Sequence, residues 1–172
     1  VSAGEGQQVA SALGLEFRPM RRDDLPLLAR WLQEPAVARW FTDPGYVDEL
    51  AEQLADRRIR PQIVALEGRP IAYVQDYDIH AFSDHPLSFL PPGARGIDTF
   101  IGSSADQGRG LGSTYLRLLA ARLKDEGVPA LGIDPDPGNT AAITAYGKVG
   151  FRPHHEAMTE WGRVLLMSMR LA

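Results

Sequence analysis

The 172-residue chain contains no cysteine, which excludes disulfides, thiolate nucleophiles and cysteine-type zinc sites. No apolar run approaches the roughly 20 residues that a membrane-spanning helix needs. The segment Val1 to Gly14 lacks a basic stretch ahead of an apolar core, so it does not read as a secretory signal; a loosely held tail is expected there. Charge of one sign is also scarce. With 18 Lys and Arg against 22 Asp and Glu, the net charge is −4, which disfavours general binding to nucleic acid or to an anionic membrane. Repeats, low-complexity tracts and dividing linkers are missing too. What remains is 44% hydrophobic and 23% charged, ordinary for a soluble globular protein. The length suits one domain, residues 15–172. Cytoplasmic residence, as monomer or homodimer, is the default expectation.

Periodicity orders the elements. Leu15 to Met20 alternates as a short strand, and Asp23 is placed to cap a helix with Leu25, Leu28, Trp31 and Leu32 on one face. A loop follows at Trp40 to Gly45, then a second helix from Tyr46 to about Ile59, stopped by Pro61. Ile63–Leu66 and Ile71–Val74 read as a hairpin across Glu67-Gly68-Arg69-Pro70, the second strand running on towards His80. Residues 81–93 form a Pro-rich loop long enough to suggest a binding role. Strands at Gly96–Ile101 and Ala130–Asp134 alternate with helices at Leu111–Leu123 and Thr140–Val149, the first ended by Gly127, the second capped by Asn139 and stopped by Gly150. Phe151–Glu156 and Arg163–Arg170 close the chain as a strand pair. This order implies an α/β (mixed α+β) fold, a mixed sheet with helices on both faces.

The stretch from Ala105 to Thr114, with Gly108, Gly110 and Gly112, joins a strand to a helix. Small residues there let backbone N–H groups approach an anion, and the helix N-terminus adds its dipole. A phosphate or pyrophosphate site is therefore expected. Gly112 is followed by Ser113-Thr114 without a Lys, so this is not a P-loop; nor does the spacing match a dinucleotide fingerprint near a first strand.

Gln107-x-x-Gly110-x-Gly112 resembles the Q/R-x-x-G-x-G/A motif of the GCN5-related N-acetyltransferases, whose turn cradles the pyrophosphate of acetyl-coenzyme A. Asn139 and Tyr146, ahead of Gly150-Phe151, are also typical of that family, and the element order matches over about residues 15–171. The resemblance implies a mostly antiparallel acyl-CoA N-acyltransferase sheet, with acetyl-CoA as co-substrate and no metal. It places the cofactor along Phe100 and Ile101, at Gln107, Gly108, Arg109, Gly110, Leu111, Gly112 and Ser113, and at Asn139. Tyr146 would then donate a proton to the departing thiolate, unless it is a core aromatic.

Within that family, Arg95-Gly96-Ile97-Asp98-Thr99-Phe100 and Asp134-Pro135-Asp136-Pro137-Gly138-Asn139 look like the aminoglycoside 6'-N-acetyltransferases. The likeness implies that Asp98 binds the acceptor amine and helps take its proton, and that Asp134 binds ammonium groups. Trp40 and Asp84 would complete the acceptor site. A polycationic sugar needs several carboxylates, and Asp76, Asp78 and Asp136 also lie on strand ends or loops. Asp98 within an apolar strand is costly unless functional or paired, for example with Arg95. Other readings are a siderophore-pathway acetylase acting on a hydroxylysine-type amine, a protein-acetylating enzyme and a non-catalytic coenzyme A sensor.

Overall fold

A computed structural model describes residues 13–172. Its sheet is built from β1 (Leu15–Pro19), β2 (Ile59–Leu66), β3 (Arg69–Asp78), β4 (Arg95–Ile101), β5 (Ala130–Ile133), β6 (Arg152–Thr159) and β7 (Gly162–Arg170). The strand order is β1-β2-β3-β4-β5-β7-β6. Every neighbouring pair is antiparallel except β4 and β5, which run parallel. The helices are α1 (Leu25–Trp31), α2 (Pro35–Ala38), α3 (Tyr46–Gln53), α4 (Leu111–Asp125) and α5 (Thr140–Val149).

Alternation along β4 divides the interior into two cores. Ile97 joins Tyr115, Leu116 and Leu119 of α4, with Ile143 and Tyr146 of α5 packed against the same cluster. Phe100 points to the other face, among Leu28 and Trp31 of α1, Val37 of α2 and Leu50 of α3. Leu50 is fully buried, so truncating it to alanine costs about 2–5 kcal/mol. A third cluster pins the loop between β3 and β4 to the end of the sheet, through Leu87, Leu90 and Ala94 against Tyr77 and Leu166.

Four expectations need correction. Asp24, not Asp23, organises the start of the first helical segment: its carboxylate accepts the Arg21 N–H at 2.8 Å and pairs with Arg18 at 2.7 Å. The single first helix is α1 plus the short α2. The second helix ends at Gln53, and Ile59-Arg60-Pro61 already belong to β2. Pro61 is tolerated there because its carbonyl accepts the Met20 N–H (2.9 Å), just past the end of β1. The proline's missing N–H lies on that same side and interrupts no ladder. The strand expected at Phe151–Glu156 begins at Arg152 and runs on to Thr159. Most of the expected N-terminal tail, residues 1–12, lies outside the described residues; the Gly14 carbonyl accepts the Glu67 N–H at 2.7 Å.

Candidate active site

β4 and β5 pair only at Arg95↔Leu131 and Gly96↔Gly132. Beyond those residues the strands part, leaving an opening flanked by Asp98 to Ile101 on one side and Ile133-Asp134 on the other. Gly102 donates its N–H to the Ile71 carbonyl at 2.9 Å, and Ile79 bonds Ala94 at 3.5 Å. These bonds set the register, so Asp98 and Phe100 use their backbone groups on β3. Thr99 and Ile101 instead turn theirs to the opening. Of the two residues expected along a cofactor arm, Ile101 turns its backbone groups to the opening and Phe100 turns its to β3.

At the end of the opening lies the glycine turn. Gly108 and Gly110 have φ of +70° and +77°, and a Cβ at either would meet nothing within 4 Å. Glycine takes these left-handed angles without strain. The first helical bond of α4 runs from the Thr114 N–H to the Gly110 carbonyl (3.1 Å), so Leu111, Gly112 and Ser113 keep N–H groups without helical partners. Side chains around the turn are otherwise engaged. Leu111 packs into the core, Ser113 Oγ donates to the Ala145 carbonyl at 3.4 Å, and the Gln107 amide reaches the Ile101 carbonyl at 3.4 Å. Arg109 pairs with Asp106 at 3.0 Å, and Arg69 holds the same buried carboxylate at 2.7 and 2.9 Å, bracing the turn. Asn139 Oδ1 caps α5 by accepting the Ala142 N–H at 3.2 Å, and its NH₂ has no hydrogen-bond partner among the described residues. An unobstructed row of backbone donors at a helix N-terminus fits a pyrophosphate.

Asp98 projects onto the α1–α3 face of the sheet. Gln75 Nε2 donates to its Oδ2 at 2.7 Å, and the buried Tyr73 hydroxyl donates to Gln75 Oε1 at 2.5 Å. Burial pushes the Asp98 carboxyl up to about 6, against the lowering effect of the Gln75 bond and with a further push from the Glu49 charge. Burial and the nearby Asp98 charge raise Asp134 to about 8. The Asp98 charge thus favours the protonated form of Asp134. Tyr146, on the opposite face, feels both charges; burial is the first cause holding its phenol well above the ordinary value, so it stays protonated.

Trp40 lies over the turn after β5, with ring carbons 3.9 Å from where a Gly138 Cβ would stand. That puts its indole beside the Asp134 segment. Asp84 is exposed at the loop surface, with φ +57°, and no described hydrogen bond ties it to the pair. Asp76 is turned away: it is fully buried and held by Arg60 and Arg95. The cation suggested for Asp98 is therefore spent on Asp76. Asp136 closes its own turn on the Gly138 N–H at 2.7 Å, and Asp78 caps a helical turn at His80.

Residues that sequence reasoning left without roles also face Asp98. Tyr73, Gln75 and Tyr77 pair with Phe100, Asp98 and Gly96 across β3 and β4. Tyr77 covers Gly96, where a Cβ would come within 2.2 Å of its ring. His85 Nδ1 accepts the Leu87 N–H (3.1 Å) and burial lowers its pKa, so its neutral ring donates from Nε2 to the Tyr77 oxygen (3.1 Å). The strand alternation around Gln75 carried a signal, but only the register identifies its partner. Among the described residues, no group of three or more His, Asp or Glu is arranged to hold a metal ion.

Known proteins share this architecture. The acetyltransferase (GNAT) domain family matches residues 21–159. Aminoglycoside N(6')-acetyltransferase type 1 of Klebsiella pneumoniae is 32% identical over 161 residues, covering 88% of this chain and 80% of that protein. Among solved structures, AAC(6')-Ib with coenzyme A and kanamycin superposes at a TM-score of 0.80, with 31% identity, 91% of this chain and 94% of the other covered. Its complex with paromomycin and acetyl-CoA gives 0.81, at 30% identity and 91% and 93% coverage. The opening between β4 and β5, the glycine turn beside it and these likenesses lead to one conclusion: the chain belongs to the GNAT acetyltransferase family.

Proposed function

We propose that this protein transfers the acetyl group of acetyl-CoA to the 6'-amine of an aminoglycoside, directly, within a ternary complex. The observation that carries the reading is the placing of two carboxyls, Asp98 and Asp134, on either side of an opening that ends on the free N–H groups of α4. Names of similar proteins support the acceptor class. Gly108, Gly110 and the N–H groups of Leu111, Gly112 and Ser113 would hold the pyrophosphate, with the Asn139 amide nearby. Acetyl-CoA supplies the activated acyl group.

The remaining chemistry belongs to the protein. An alkylammonium is drawn to a carboxyl pair that keeps one negative charge near neutrality, and Trp40 gives the sugar an apolar wall. Asp98 accepts the ammonium proton, directly or through a water, on the oxygen that Gln75 does not bind. Its raised pKa narrows the gap to the amine and makes it a better base than an ordinary carboxylate. Tyr146, held protonated, donates to the leaving thiolate. Asp84 contributes only long-range attraction for cations from its exposed position. The loop 82–94 spends Leu87 and Leu90 on the core rather than on the acceptor.

The test is initial-rate thiol release from acetyl-CoA with kanamycin, tobramycin, N-hydroxylysine and a mixed peptide pool. Saturable turnover of the two aminoglycosides supports the reading. Turnover confined to the hydroxylamine or to peptides replaces the acceptor, and coenzyme binding without turnover of any amine indicates a sensor.

A further inference from the structure

We infer that Tyr73 and Gln75 are positioning residues for Asp98, a two-residue hydrogen-bond line that fixes which carboxylate oxygen is free to take the proton. The inference rests on the proposed role of Asp98 as proton acceptor. Its geometry comes from cross-strand register. Tyr73↔Phe100 and Gln75↔Asp98 are partner positions on β3 and β4, and all four side chains stand on the same face.

The direction of each bond follows from chemistry. Burial holds the Tyr73 phenol well above its ordinary pKa, so the group stays a donor. Its hydroxyl lies 2.5 Å from Gln75 Oε1, an atom that only accepts. That contact settles the orientation of the amide and turns Nε2 to Asp98 Oδ2, at 2.7 Å. Phe100 packs against the Tyr73 ring, with centroids 5.4 Å apart and planes inclined by 31°. On the other face Thr99 Oγ1 donates to the Tyr73 carbonyl at 2.7 Å and receives the Tyr115 hydroxyl at 2.7 Å. Both the ring and the backbone of Tyr73 are therefore held. Tyr73 and Gln75 are buried at 0% and 4% exposure, so water does not compete for these bonds.

The consequence is an oxygen-specific base. Oδ2 carries the amide hydrogen bond, while among the described residues nothing hydrogen-bonds Oδ1. The bond to Gln75 also favours the charged carboxylate, opposing burial and the Glu49 charge. Other ionisable groups that feel the Asp98 charge are Asp134, Tyr46 and Tyr77, and Tyr146 from the opposite face of the sheet. Without the amide donor, the balance shifts towards the protonated acid.

The test is the pH dependence of kcat/KM with kanamycin for wild type, Gln75→Leu, Tyr73→Phe and the double variant. Carbon NMR of the Asp98 carboxyl in each protein gives its ionisation directly, without turnover. Acetyl-CoA affinity serves as the control for folding. Gln75→Leu is expected to raise the Asp98 midpoint by about one pH unit. Tyr73→Phe keeps the ring, frees the amide to turn, and is expected to raise the midpoint by roughly half as much. Because Tyr73 acts only through Gln75, the double variant should match Gln75→Leu alone. An unchanged midpoint in the single variants, or additive shifts in the double, overturns the inference. A carboxyl midpoint that moves as stated while the rate profile does not follow it keeps the positioning geometry and removes Asp98 as the proton acceptor.

Discussion

Asp98 is where charge, burial and hydrogen bonding meet. Asp98→Asn preserves shape and the Gln75 neighbour but cannot accept a proton, so kcat should fall on the order of 10²–10⁴-fold with acetyl-CoA affinity unchanged; stopped assays plus coenzyme titration check this. Tyr146→Phe should lower kcat by about 10²-fold through loss of the thiolate donor. No alkaline limb from Tyr146 should appear below about pH 10, the ordinary tyrosine value, since burial holds its phenol well above it. The acid limb of kcat/KM should fall at about 6, where Asp98 ionises. Stability carries a linked sign. Asp134 binds its proton more tightly folded than unfolded, its pKa rising from 3.8 to about 8. The folded state then holds more protons across that window, and stability falls as pH rises through it. Asp134→Asn should flatten the decline of Tm between pH 5 and pH 8 in thermal melts, the comparison cancelling the smaller opposite slope from His85. At this scale much was legible. Asn139 capped its helix as the cap rule requires, and Asp98 stood out as a carboxylate in an apolar strand. Pairings over long separations were not: Arg95 went to Asp76, and Tyr73 and Gln75 acquired meaning only from β3–β4 register.

The glycine turn and the parted strands are the elements on which the proposed coenzyme site rests. Gly110→Ala meets open space, so its cost is backbone strain alone, about 1–2 kcal/mol for a left-handed non-glycine residue. The same change reorients the first N–H groups of α4, so the KM for acetyl-CoA should rise several-fold beside a modest loss of Tm. Gly96→Ala fails for a different reason. Its Cβ would strike the Tyr77 ring, so it should destabilise by about 1–3 kcal/mol and disturb the acceptor side rather than coenzyme binding. Denaturant melts and separate KM values distinguish the two. Element order was readable because apolar period and glycine punctuation agree along most of the chain. The reading slipped at Gln53 to Pro61, where no cap or glycine marks the helix end. A proline that looks like a helix stop is there a strand residue with its missing N–H beyond the end of β1.

On the scale of the molecule, one sheet separates two chemistries. α4 and α5 pack on one face, beside the proposed anion cradle, and α1 to α3 with loop 82–94 on the other, beside Asp98 and Asp134. The net charge of −4 and the acidic acceptor side should draw polycations. Raising ionic strength should therefore lower kcat/KM for an aminoglycoside much more than for a monoamine, because the Debye length shrinks from about 10 Å at 0.1 M to about 3 Å at 1 M. The general fold was legible from order alone, while no local pattern in either strand marks the gap between β4 and β5, where pairing stops. The most direct measurement is the position of the acetyl group on kanamycin after complete turnover, read by NMR of the product. The account predicts a single amide at the 6'-nitrogen, formed by wild type and not by Asp98→Asn over the same time. An acetyl group on another amine, or equal product from the Asp98→Asn protein, would contradict it.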